Sequence, residues 1–288
     1  MSRFFEAAQK AEEKKPESVR PLLPMDKDEL RLETAVPPVP DPVPPAAPPA
    51  HYRTVSIRVP ATAPLMPFDG SHLQAAEGYR IIRTKIVQHP RQPRVLCISS
   101  SSTGDGKTIS ALNIASSLAL KKQTATLLVD ADLRRPQLAR LLSVPESPGL
   151  REYLAGSCSL RETIIRVAEL PSLYFLPAGS STLNPTELLD SERWRGLTES
   201  LRKEFDFCVL DCPPIGLVAD YDLIQVACDG LILIARPGHT NRKLLQKSLT
   251  QMPRDRFLGV VLNHVEDWFL WHAQGNYYYY SPSAEQGG

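Results

Sequence analysis

The chain lacks the features that would carry it across a membrane or out of a cell. No apolar run approaches the about eighteen residues that a bilayer-spanning helix needs. Behind Met1-Ser2-Arg3-Phe4-Phe5 there is no hydrophobic signal core. Cysteine is scarce and odd in number: Cys97, Cys158, Cys208, Cys212 and Cys228, with no C-x-x-C pair. Most of them sit in apolar runs, which excludes a disulfide framework or zinc knuckle and implies buried thiols in a reducing compartment. Excess charge of either sign is also missing. Lys plus Arg is 33 against 32 for Asp plus Glu, so there is no electrostatic case for nucleic acid as a main partner. These absences predict a cytoplasmic protein that reaches a membrane only through a partner.

Proline, by contrast, is abundant and concentrated early. The run VPPVPDPVPPAAPPA over residues 36–50 has neither the N–H groups nor the free φ angles for a helix or ladder, so polyproline II is expected. At about 3.1 Å per residue it would reach roughly 45 Å. Residues 2–15 carry Phe5, Ala8 and Ala11 at helical spacing behind a capping Ser2, which fits either a short amphipathic helix or a fraying tail. Val55, Ile57 and Val59 alternate with Ser56 and Arg58, as in a strand or docking segment. We expect a tail and linker over residues 1–66, one domain over 67–268, and a tyrosine-rich tail over 269–288.

After Pro93 short β-branched runs alternate with helical stretches, the pattern of a parallel sheet covered on both faces. Strands are expected at 95–99, 125–130, 173–176, 207–211, 231–235 and 258–263. Ile109, Leu112, Ala115, Leu118 and Ala119 form an apolar stripe after the first of these, and Leu188, Trp194, Leu197 and Leu201 another before the fourth. The fold expected is α/β: a doubly wound, mostly parallel sheet of the P-loop NTPase type, preceded by a disordered proline-rich segment.

Ser102-Thr103-Gly104-Asp105-Gly106-Lys107-Thr108 falls between the first strand and its helix, where a glycine-rich string becomes a phosphate cradle. Its glycines let backbone N–H groups turn inward, Lys107 can reach the β and γ phosphates, and the Thr108 hydroxyl can ligate magnesium. Thr103, Gly104, Asp105, Gly106, Lys107, Thr108 and Ile109 are therefore the expected nucleotide-binding residues, with ATP and Mg2+ as cofactors. Ser101 stands where a first Walker glycine is usual. Two apolar strands end in acid, at Asp130-Ala131-Asp132 and at Asp211, where carboxylates gather beside a P-loop. A triphosphate needs magnesium, and Thr108, an Asp and waters suit its oxygen shell. A dinucleotide-binding reading fails, because Lys107-Thr108 follows the glycines and no acidic ribose signature does.

The string Asp130-Ala131-Asp132-Leu133-Arg134-Arg135-Pro136 resembles the second Walker motif of bacterial tyrosine kinases of the capsule and exopolysaccharide type. Glu77-Gly78-Tyr79-Arg80-Ile81-Ile82-Arg83 is similar to that family's E-x-x-R-x-x-R helix, Asn184-Pro185-Thr186-Glu187-Leu188-Leu189 to its N-P-x-E-L-L segment, and Asp211-Cys212-Pro213-Pro214 to its Walker B. Tyr277, Tyr278, Tyr279 and Tyr280 resemble its tyrosine-rich tail. The resemblance covers about residues 70–281. Thr103 and Asp105 depart from the usual loop residues without removing a charge that the chemistry needs. Ser102 stands where septum-positioning ATPases carry an extra lysine, which argues against that class.

The resemblance implies an ATP-dependent autokinase that phosphorylates Tyr277 to Tyr280 in trans and regulates polysaccharide assembly or export beside a membrane-spanning chain-length regulator. It also implies Asp130 as acceptor of the tyrosine proton and Asp132 and Asp211 as magnesium ligands with Thr108, with Asp130 and Asp132 able to exchange roles. Lys107 neutralises the γ-phosphate. Asn263 either reads the adenine edge or ends its strand as a turn. Glu77, Arg80 and Arg83 would make a head-to-tail contact closing a homo-oligomeric ring; by spacing alone they equally fit a solvated helix face. The rival reading is a nucleotide-gated assembly protein whose tyrosine tail is only a contact surface.

Overall fold

The computed structural model describes residues 52–60, 72–121, 123–180 and 182–265. The proline run, the 2–15 segment and the four clustered tyrosines lie outside the described residues. Among those described, eight strands share one sheet. They are β1 (Arg53–Val55), β2 (Val95–Ser100), β3 (Thr126–Asp130), β4 (Ile165–Val167), β5 (Leu173–Leu176), β6 (Phe207–Asp211), β7 (Gly230–Ala235) and β8 (Phe257–Leu262). Their order across the sheet is β1-β4-β5-β3-β6-β2-β7-β8. Every neighbouring pair is parallel except β4 with β5, so β1 and β4 run against the other six. The sheet is thus the mostly parallel one expected.

The strands are apolar on both faces because both faces are covered. β2, β3, β5 and β7 are buried at every residue. Side chains alternate between two cores with the period of two that a pleated strand imposes. Leu127 and Val129 join Val95, Leu210 and Trp194 in one, while Leu128 joins Leu96, Ile98, Val209 and Ile232 in the other.

Helix α1 (Leu73–Val87) and helix α2 (Lys107–Ala119) lie on the second core's face. Helix α2 is buried nearly all round, not along the single stripe that its sequence implied, because α1 covers its outer side. Ser117 Oγ donates to the Tyr79 carbonyl at 3.2 Å, and Arg83 Nη1 donates to the Ser117 carbonyl at 3.3 Å. Small residues at Ser110 and Ser117, both against Tyr79, permit that approach. Fully burying Leu112, Ile114 and Leu118 contributes about 2–3 kcal/mol each.

Further along come α3 (Leu138–Leu142), α4 (Leu150–Leu154), α5 (Leu160–Thr163), α6 (Pro185–Leu189), α7 (Glu192–Glu204), α8 (Asp220–Gln225) and α9 (Arg242–Gln251). The stripe of Leu188, Trp194, Leu197 and Leu201 is divided between two helices. Leu188 belongs to α6, and Ser191 then caps α7 by accepting from the Trp194 N–H. The folded unit also takes in residues ahead of position 67. β1 pairs with β4, the Arg58 N–H donates to the Leu142 carbonyl at 3.0 Å, and Ile57 and Val59 pack on the second core.

Candidate active site

β2 ends at Ser100 and the chain turns through residues 101–106 into α2. The turn needs left-handed backbone at Gly104 (φ +88°) and Gly106 (φ +90°), which only glycine adopts without strain. A Cβ on Gly106 would also lie 1.9 Å from Asn263 Nδ2. The loop is pinned from behind by Asp105, a buried carboxylate that accepts from the Ser102 N–H at 3.0 Å and from Thr240 Oγ1 at 2.7 Å. Asn263 Nδ2 donates to the Asp105 carbonyl at 3.0 Å. His239 Nε2 lies 3.1 Å from the Thr103 carbonyl.

Three carboxylates stand beside Lys107. Asp130 and Asp211 are register partners on adjacent parallel strands, and Asp132 follows two residues on. Lys107 Nζ is 2.9 Å from Asp132 Oδ2 and 3.2 Å from Asp211 Oδ1. Burial alone would pull the Lys107 ammonium down, but Asp211 and then Asp132 outweigh it, so its hold on the proton is strengthened. Burial, then the Asp211 charge, pushes the Asp130 carboxyl up to about 8. Burial likewise raises Asp211, against the pull of Lys107. Asp130 Oδ2 accepts from the Gln137 and Leu138 N–H groups at 3.1 and 3.0 Å, fixing the start of α3.

A cleft of about 510 Å³ opens above the loop, lined on this side by Thr103, Gly104, Gly106, Lys107, Thr108, Ile109 and Asp132. Asp105 lies behind the loop and Asn263 packs over Gly106, so both act on the loop from outside the cleft. Asp130 is wholly buried and does not line the cleft. Cys97, Cys208, Cys212 and Cys228 are buried thiols, and Cys158 is half-buried. On α1, Arg80 makes an exposed intrahelical pair with Glu77 at 2.9 Å, while Arg83 is turned onto α2.

Sequence reasoning missed Asp220 and Thr186. Arg134 Nε and Nη2 donate to the Asp220 carboxylate at 2.8 and 3.1 Å, Arg134 Nη2 donates to Thr186 Oγ1 at 2.8 Å, and Thr186 Oγ1 donates to Asp220 Oδ1 at 2.7 Å. This joins the loop after β3 to the starts of α6 and α8. Only the neighbouring motifs carried any signal for it.

The donor set fits magnesium. Asp211 Oδ2, beside Thr108 and Lys107, is buried without a hydrogen-bond partner, and such an oxygen suits a hard cation. Among the described residues no group of three or more His, Cys, Asp or Glu forms a self-contained metal cluster.

A strand, glycine loop and helix carrying Lys107, with acidic ends on β6 beside that strand and on β3 beyond it at the carboxyl edge of a mostly parallel sheet, define a P-loop nucleotide-binding domain. The AAA domain family matches residues 93–243. The tyrosine-protein kinase CpsD of Streptococcus agalactiae is 34% identical over 194 residues, covering 66% of this chain and 84% of the relative. The succinoglycan biosynthesis transport protein ExoP of Rhizobium meliloti is 31% identical over 232 residues, 75% of this chain but 29% of that longer protein. The kinase domain of the Escherichia coli tyrosine kinase ETK superposes with a TM-score of 0.64 at 26% identity, over 72% of this chain and 87% of that one. The septum site-determining protein MinD of Pyrococcus horikoshii, solved with Mg-ADP, matches at 0.51 and 26%, over 59% of this chain and 71% of that one. The chain belongs to the bacterial tyrosine-protein kinases, the branch of P-loop proteins that transfers phosphate to tyrosine.

Proposed function

We propose that this kinase uses ATP to phosphorylate its own Tyr277, Tyr278, Tyr279 and Tyr280, each chain serving as substrate for its neighbour in a ring. We further propose that it regulates surface-polysaccharide assembly or export from the cytoplasmic side, beside a membrane-spanning chain-length regulator. The observation that carries the reading is Lys107, held between Asp132 and Asp211 on the floor of a cleft walled by its own P-loop. A relative that is a succinoglycan biosynthesis transport protein supports the pathway. No helix among the described residues is long and apolar enough to cross a membrane, which fits a separate membrane partner.

The backbone amides of residues 103–108 cradle the phosphates, and Lys107 leaves Asp132 to meet the γ-phosphate. Thr108 and Asp211 are the residues that would hold magnesium, which when bound would supply positive charge to the triphosphate. Asp132 lines the cleft whereas Asp130 is buried beneath it, so Asp132 is the carboxylate that meets an incoming phenol. Asp130 fixes the loop from below. As the bond from the phenol oxygen to the γ-phosphorus forms, the phenolic proton passes to Asp132, the bond to the β–γ bridging oxygen breaks and ADP leaves. From Val265 to Tyr278 is thirteen residues, roughly 40 Å if extended, enough to reach an adjacent subunit.

The test is the mass spectrum of protein purified from its own cell. Phosphate on residues 277–280 in wild-type chain and its absence in Lys107→Met are expected. Unmodified tyrosines beside active ATP hydrolysis would favour the assembly-protein reading.

A further inference from the structure

Beyond the P-loop residues the cleft has a second wall. It is made by the loops after β3 and β6, where Arg135 and Gln137 face Pro213, Pro214, Leu217 and Val218. Arg134 is committed to Asp220 and Thr186. Arg135, one residue on, is exposed, and among the described residues no hydrogen bond or ion pair engages its guanidinium. Its backbone is tied to the site, because its main-chain N–H donates to Asp132 Oδ1 at 3.2 Å. Leu217, also lining the cleft, is 60% exposed, on a turn where Gly216 has φ +74°. A guanidinium unengaged among the described residues and an exposed leucine thus line the same cleft as the Asp132 carboxylate.

Four consecutive tyrosines make a demand that a single acceptor would not. After the first transfer, each remaining acceptor has a neighbour carrying about −1.5 to −2 charges. That neighbour must enter a cleft lined by the Asp132 carboxylate, with Asp211 buried beneath it. Repulsion would halt the reaction at one phosphate unless a cation received it, and a guanidinium is suited to phosphate by its paired donors.

We infer that Arg135 and Leu217 form an acceptor subsite, Leu217 supporting the tyrosine ring and Arg135 receiving the phosphate on an already modified neighbouring tyrosine. The inference rests on the kinase reading above. Each round is the same balanced step: one phenol oxygen gains the γ-phosphoryl group, one proton leaves the phenol, and one ADP departs.

The test supplies full-length enzyme with two peptides, Asn-Tyr-Tyr-Tyr-Tyr-Ser and the same sequence bearing one phosphotyrosine, and compares kcat/KM for them. The ratio of phosphopeptide to plain peptide cancels any general effect on chemistry. Arg135→Gln should lower that ratio about tenfold, the loss of one charge-assisted contact, and Arg135→Lys should restore part of it. Leu217→Ser should raise KM for both peptides alike and leave the ratio unchanged. In intact-mass spectra of the chain's own tail, Arg135→Gln should accumulate the singly phosphorylated form. An unaltered ratio together with an unaltered mass distribution in Arg135→Gln overturns the subsite while leaving the kinase standing. If wild-type enzyme labels neither peptide nor its own tail, the kinase reading fails and takes the subsite with it.

Discussion

Asp130 and Asp211 face each other in register at the ends of β3 and β6, both buried, with the Lys107 ammonium 3.2 Å from Asp211. Burial and this pairing hold Asp130 protonated up to about pH 8, against an ordinary value of 3.8. Between those values the native state binds more protons at this site than the unfolded chain, so stability falls as pH rises through the window. Asp130→Asn removes that dependence. Its melting temperature should gain on wild type from pH 5 to pH 8 and stop gaining above, whatever the fixed cost of a buried amide N–H. Parallel curves for the two proteins would contradict the assignment.

Asp105 makes a different prediction, because it acts on the loop and not on the nucleotide. Asp105→Ala strands the Thr240 hydroxyl and the Ser102 N–H, at a cost of about 1–3 kcal/mol. ATP affinity should fall with it. Thr240→Val should weaken binding less, and the double variant should show clear non-additivity, since both changes remove the same bond. Additive losses in calorimetry would mean that the two residues act separately.

Gly106→Ala should abolish nucleotide binding for two reasons that can be separated. One is the left-handed backbone, and the other is the 1.9 Å approach to Asn263 Nδ2. Adding Asn263→Ala removes the clash and leaves the strain, about 1 kcal/mol for a non-glycine residue in this region. The double variant should therefore recover part of the binding. Full recovery, or none, would show that one cause suffices.

On α1 the two arginines should behave differently. The Glu77–Arg80 pair is exposed and contributes less than about 1 kcal/mol within the chain. Arg80→Ala should leave melting nearly unchanged and, on the ring reading, shift the light-scattering mass toward monomer. Arg83→Ala should also lower the melting temperature, because Arg83 ties α1 to α2 through the Ser117 carbonyl. Unchanged mass in both variants returns these residues to a solvated face.

The parts of this architecture that could be read in the sequence are those whose cause is local. Continuous apolar runs marked β2, β3, β5, β6, β7 and β8, whereas alternation at Val55, Ile57 and Val59 marked a docked edge segment of which only Val55 belongs to a strand, β1. β4 escaped, being three residues with Arg166 at its centre. The phosphate loop was visible because its glycines, Lys107 and Thr108 are consecutive. Asp220 and Thr240 were not, since each takes its role from a partner far along the chain, 86 residues away for Arg134 and 135 for Asp105. The spacing of Asp130 and Asp132 made them look interchangeable. Only the fold separates them, since a strand directs Asp130 into the core and releases Asp132 into the cleft.

Transfer between subunits is the central claim, and a mixing experiment tests it most directly. A Lys107→Met chain with intact tyrosines is combined with an active chain in which Tyr277, Tyr278, Tyr279 and Tyr280 are phenylalanine. The Lys107→Met chain is then probed for phosphotyrosine. Phosphate on that chain, dependent on the active one, is the predicted result. An unlabelled Lys107→Met chain, under conditions where wild-type protein labels itself, would contradict it.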